Sequence, residues 1–293
     1  MGHATQQKFK KGVIMRKLLS ILAITALFLT LSLPAYAAKG EVEMAYVEWA
    51  ETVASTNVVK AVLEDMGYDV DIISVSAAAM WKGTAAGDVD GFTGAWLPVT
   101  HSSYKKELGD EVVILGKNLI GAKIGLAVPE YVDVDSIPEL AKNADKFNNE
   151  IVGIDPGAGI MQKTEKAMEA YNLDDFEIIG SSGAMMTATL KNRIENNKPV
   201  VVTAWTPHWM FSRWDLKYLK DPKKVYGEAE YIATVARKGL KEDKPEVYNL
   251  LKNFNWSLKD CQQVMLWTQD SSPAEAAKRW IKENPDKVAA WKK

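Results

Sequence analysis

Three tryptophans stand where an apolar run gives way to a turn. Trp49 follows Ala45-Tyr46-Val47-Glu48, Trp96 follows Thr93-Gly94-Ala95, and Trp205 follows Val202-Thr203-Ala204. Each run reads as a strand, and in parallel α/β sheets the carboxyl ends of strands face the ligand cleft. Indole faces are electrostatically negative, and each contributes roughly 0.5–2 kcal/mol to a desolvated cation. Three faces around one cleft form a box for a trimethylammonium group, whose charge is spread over methyls and which has no N–H to satisfy. Ten tryptophans occur in the chain, so most must serve packing. Trp81, Trp214, Trp256, Trp267, Trp280 and Trp291 are read that way, and Trp209 fits either role.

A second constellation suits the opposite charge. Asp155-Pro156-Gly157-Ala158-Gly159-Ile160 links a strand to a helix. Glycine lets a backbone approach a ligand closely, and a helix start offers unpaired N–H groups at a positive dipole end. That arrangement receives a carboxylate; a plain tight turn is the competing reading. His101, five residues past Trp96, is a candidate side-chain donor to the same carboxylate, with a surface-loop histidine as the alternative.

Catalytic signatures do not appear. Beyond residue 37 there are two histidines, His101 and His208, and the chain's one cysteine is Cys261. No HExxH, CxxC, GxSxG, Walker loop or strand-borne GxGxxG is present, and a His/Cys metal site lacks ligands. A binding protein without cofactor is expected, not an enzyme.

The elements that must position these residues follow from periodicity. Strands are expected at 42–49, 69–74 and 90–95, with helices at 50–66 and 77–86. The alternation restarts with strands at 123–128, 150–154, 176–179 and 200–205. Helices are expected at 137–141, 160–171 and 183–196, the last capped by Ser182. A final strand at 231–237 precedes a helical tail at 245–291 with starts at Ser257 and at Ser272-Pro273. Strand–helix alternation argues for a parallel sheet covered by helices. The restart argues for two lobes, 39–126 plus 231–293 and 127–230, with a cleft between them.

Residues 1–37 read as a cleavable secretory leader. Arg16 and Lys17 precede an apolar run of roughly 16 residues, shorter than the ~20 that a spanning helix prefers. Pro34 and Ala35-Tyr36-Ala37 supply the break and the cleavage pattern, and Met15 is the natural start. Loss of the leader removes five basic residues (Lys8, Lys10, Lys11, Arg16, Lys17) and no acidic one, taking the formal charge from −2 to −7. That balance disfavours nucleic acid and anionic membranes. Ala38 stands where a lipoprotein needs cysteine, so a soluble periplasmic monomer is expected.

The stretches AYVEWAETVASTNVV (45–59), AWLPVTH (95–101), GIDPGAGIM (153–161), SSGAMMTATL (181–190) and VVVTAWTPHWMFSRWDLKYLKDP (200–222) resemble the OpuAC-type glycine betaine binding proteins of ABC importers. The resemblance runs from about residue 40 to the C-terminus. It implies a two-lobed type II periplasmic-binding fold with the ligand cleft between lobes. It also implies that Trp49, Trp96 and Trp205 form a prism around trimethylammonium, that the Gly159 and Ile160 N–H groups receive the carboxylate, and that His101 donates to it. The implied partners are an ABC permease and ATPase, and the implied role is osmoprotectant uptake. A choline or carnitine receptor of the same fold and a sensory binding module are the alternatives.

Overall fold

The computed structural model describes residues 38–293, so the leader expected over 1–37 lies outside the described residues. Nine strands among these residues form one curled sheet. They are β1 (Glu41–Tyr46), β2 (Asp69–Ser74), β3 (Gly91–Leu97), β4 (Val112–Pro129), β5 (Glu150–Val152), β6 (Glu177–Ile179), β7 (Val201–Thr206), β8 (Leu216–Tyr218) and β9 (Glu230–Arg237). Their order is β2-β1-β3-β9-β4-β7-β5-β6, with β8 on β4.

The expected parallel pairing holds within each half of this sheet. β1 runs parallel to β2 and β3, and β5 runs parallel to β6 and β7. The strands that join the halves are antiparallel. β9 pairs with β3 and with β4 from Val112 to Ala122, and β4 then changes partner to β7 from Lys123 to Ala127. Only 123–128 of this 18-residue strand is expected from the pattern. Its first part is broken by three register shifts against β9, and Gly121 sits at φ 88°. Such bulges strengthen twist and let one strand serve two half-sheets, and they erase the alternation that marks a strand in sequence.

Helix ends follow local chemistry. The starts expected at Ser182, Ser257 and Ser272 are all N-caps whose hydroxyls accept the N–H three residues on. At Ser257 and Ser272 the third residue, Asp260 or Glu275, bonds back to the cap N–H. Capping of this kind stabilises a helix by about 1 kcal/mol.

The tail builds a second aromatic core. Trp280 and Trp291 stack with ring centroids 5.4 Å apart, and Phe254 and Trp256 pack edge-on against them. The helices Leu258–Trp267 and Pro273–Glu283 lie on the helix Ala50–Asp65. That helix, which also packs on β3, is buried nearly all round. Its first turn is thereby fixed at the edge where the two half-sheets meet. No helix of the described residues is long and apolar enough to cross a membrane.

Candidate functional site

A small cavity lies at that edge. Trp49, Trp96, Trp205, Gly159 and Ile160 line it, together with Glu51 and Thr100. The three indoles are 5 %, 3 % and 4 % exposed, so a cation among them is largely removed from water.

Each indole is held by its own N–H. Trp49 is the N-cap of the helix Ala50–Asp65, not the last residue of a strand, because β1 stops at Tyr46 and the Trp49 N–H closes a tight turn onto the Val47 carbonyl at 2.7 Å. Its Nε1–H donates to Asp155 Oδ1 at 2.9 Å. Trp96 is the penultimate residue of β3, and its Nε1–H donates to Glu51 Oε1 at 3.0 Å. Trp205 is the penultimate residue of β7, and its Nε1–H donates to Glu51 Oε2 at 2.8 Å. One carboxylate thus orients two walls of the box, and the Thr52 hydroxyl also donates to it.

Glu51 is 2 % exposed. Burial pushes its carboxyl above the usual glutamate range, and the hydrogen bonds from Trp205, Thr52 and Trp96 oppose that rise. Sequence reasoning missed this residue. An acid in the first turn of a helix is ordinary, since it complements the macrodipole.

The same lining includes the start of a helix. Gly159 and Ile160 open the helix Gly159–Tyr171, whose N-cap is Ala158 and carries no side-chain cap. Among the described residues neither N–H has a protein acceptor. The approach here is close: a Cβ on Gly159 would stand 2.3 Å from the Thr100 carbonyl oxygen.

His101 does not line the cavity; it lies behind Trp49, ring centroids 5.6 Å apart, and is fully buried. Its Nδ1 accepts the Trp96 backbone N–H at 3.2 Å and the Trp81 Nε1–H at 3.4 Å. The ring proton therefore sits on Nε2, which is buried without a partner. Burial pushes the imidazole pKa down to about 3, so His101 is a neutral donor at neutral pH. Trp81, expected only to pack, has this added role. Trp209 lines a larger groove that shares Trp205 with the box.

Hydrogen bonds also tie the half-sheets together. Besides Trp49–Asp155 and Trp205–Glu51, the Tyr104 hydroxyl donates to the Gly157 carbonyl at 2.9 Å. The glycine turn is thus held from the opposite side of the cleft.

A family model for the substrate-binding domain of ABC-type glycine betaine transport systems (OpuAC) matches residues 40–283. The chain is 55 % identical over 150 residues to the glycine betaine/carnitine transport binding protein GbuC of Listeria monocytogenes, an alignment that covers half of each chain. It is 25 % identical over 287 aligned positions to a glycine betaine/proline betaine-binding periplasmic protein of Salmonella typhimurium, covering 83 % of this chain and 86 % of that one. Among solved structures, lactococcal OpuAC closed on glycine betaine superposes with TM-score 0.84 at 43 % identity, covering 87 % of this chain and 100 % of that one. A choline binding protein in complex with choline superposes with TM-score 0.80 at 28 % identity, covering 86 % and 91 %. The architecture is the two-lobed type II periplasmic-binding fold expected from the sequence.

Proposed function

The chain belongs to the family of substrate-binding domains of ABC-type glycine betaine transport systems, and from that premise we propose that it captures glycine betaine itself and hands it to a permease for osmoprotectant uptake. Trp49, Trp96 and Trp205 enclose the trimethylammonium group. The N–H groups of Gly159 and Ile160 and the Nε2–H of His101 take the carboxylate. The observation that carries this reading is one small cavity lined by three indoles and by the helix start at Gly159 and Ile160, whose N–H groups have no protein acceptor among the described residues, with the unpartnered His101 Nε2 buried behind the lining.

The lobes are taken as 39–126 with 231–293, and 127–230, and the hinge lies in β4 just ahead of that boundary, where its partner changes from β9 at Ala122 to β7 at Lys123. The box itself draws on both lobes, Trp49 and Trp96 from one and Trp205 from the other, and a carboxylate adds the N–H groups of Gly159 and Ile160, so the ligand stabilises the closed form by its differential affinity. The protein acts in the periplasm, as the name of its Salmonella relative states for that protein.

A choline receptor is the second reading, favoured by the likeness to the choline binding protein. Choline has no carboxylate and leaves the buried donors unpaired. Calorimetric titration with glycine betaine, proline betaine, carnitine and choline decides between the two. Glycine betaine is expected to bind tighter than choline by at least about ten-fold, the effect of roughly one lost hydrogen bond to a charged group. His101→Ala is expected to weaken glycine betaine more than it weakens choline and so to narrow that margin. Tighter binding of choline, or equal losses in the variant, refutes the carboxylate subsite.

Trp49→Phe keeps a ring in the box and deletes the bond to Asp155. Glycine betaine affinity is expected to fall about ten-fold, mostly through faster dissociation, because that bond spans the closed cleft. A stopped-flow dissociation rate equal to that of the unmodified protein contradicts this role.

A further inference from the structure

We infer that Glu230 is a positioning residue that ties the crossing strand β9 to the carboxylate end of the site. The inference rests on the glycine betaine reading and adds a residue outside the cavity lining. Glu230 is the first residue of β9, opposite Ala122, the last β4 position paired to β9 before β4 turns to β7. It is 3 % exposed, and no ion pair among the described residues includes it. Its direct hydrogen bonds come from one loop, and Lys163 on the helix Gly159–Tyr171 interacts with it electrostatically. Oε1 accepts the N–H of Val99 at 2.7 Å and of Thr100 at 2.8 Å, and Oε2 accepts the Thr100 hydroxyl. Hydrogen bonds to an ionised acceptor are about twice as strong as neutral ones.

The same loop leads into the site. Thr100 lines the cavity and abuts Gly159, and His101 follows it. The loop is closed on itself by the His101 N–H donating to the Trp96 carbonyl at 2.9 Å and the Trp96 N–H donating to His101 Nδ1. From outside it is pinned by Glu230 and by Gly227, at φ 79°, where a Cβ would lie 2.8 Å from Val99 Cγ2. Thr100 and His101 therefore move with the crossing segment. The Trp96 ring is held separately by Glu51. Loss of Glu230 releases the carboxylate end and leaves the cation end in register.

The test is calorimetry of Glu230→Ala and Glu230→Gln with glycine betaine and choline, beside the unmodified protein. The alanine variant is expected to lose about ten-fold in glycine betaine affinity and less than about two-fold in choline affinity. The glutamine variant retains an acceptor for the two N–H groups but not for the hydroxyl, and is expected to lose about three-fold for glycine betaine alone. A merely structural role lowers both ligands equally, and that outcome, or no loss at all, overturns the inference. If the alanine variant fails to fold, the selectivity of the glutamine variant decides by the same criterion. An unmodified protein that does not prefer glycine betaine over choline sinks the functional reading itself. Preference in that protein with unaltered selectivity in both variants sinks only the role of Glu230.

Discussion

Glu51→Ala is expected to weaken glycine betaine binding about a hundred-fold, the largest effect of any single change outside the aromatic rings. The alanine leaves the Trp96 and Trp205 Nε1–H groups without their acceptor in a site closed to water. A buried polar group stripped of its partner costs about 1–3 kcal/mol, and a factor of ten in affinity is about 1.4 kcal/mol. The Trp205 bond crosses the cleft, so its loss falls on the closed form. Glutamine is no remedy. Two indole N–H groups and the Thr52 hydroxyl point at the two oxygens of Glu51, and an amide NH₂ in place of one oxygen meets a donor. Calorimetry of both variants checks this; a loss below about three-fold in each removes Glu51 from the binding machinery.

A pH dependence follows from the same carboxyl. Burial raises its pKa, and a cation in the box favours its ionised form. Affinity therefore falls as pH drops through that raised value, because binding must expel a proton. The free protein keeps the Glu51 proton to higher pH than the unfolded chain does. The stability this contributes is full below the ordinary glutamate range and is lost as pH rises through the raised pKa. His101 adds no such slope to binding at mildly acidic pH, since it is neutral down to about 3. Proton release on binding, read by calorimetry in buffers of different ionisation enthalpy, isolates Glu51, and its absence in Glu51→Gln completes the assignment.

Gly159→Ala is expected to cost about ten- to hundred-fold in affinity while leaving the ligand-free protein as stable as before. The added Cβ meets the Thr100 carbonyl oxygen at 2.3 Å and Thr100 Cγ2 at 2.7 Å. Overpacking of this kind costs about 1–3 kcal/mol and occasionally more. Thr100 is pinned by Glu230, so the strain falls on lobe closure. In the proposed open form the lobes would stand apart and the clash would be absent, and alanine is the better helix former by up to about 1 kcal/mol. Ligand-induced compaction by small-angle scattering, read beside the melting temperature, separates the two effects. Full closure with unchanged affinity contradicts the close approach.

The sequence carried the box and lacked its frame. Trp96 and Trp205 were legible because each ends a β-branched or small-residue run, a local pattern. Trp49 was found by the same rule although it caps a helix, since the turn from Val47 is too tight to alter the pattern. The helix starts at Ser182, Ser257 and Ser272 were legible because capping is decided within four residues. Glu51, Asp155 and Glu230 gave no signal. Their partners lie 45 to 154 residues away in sequence, and a carboxylate's role as acceptor exists only once the chain has folded. Of the joining strands, β9 was legible as the strand expected at 231–237, and the first part of β4 was hidden for the related reason that it carries glycines and bulges where it crosses.

The most direct test is a crystal structure of the residue 38–293 protein grown with glycine betaine. The ligand nitrogen is expected within about 6 Å of the ring centroids of Trp49, Trp96 and Trp205, with the carboxylate on the N–H groups of Gly159 and Ile160. A ligand whose methylated end points at the glycine turn, or one lodged in the larger groove beside Trp209, contradicts it.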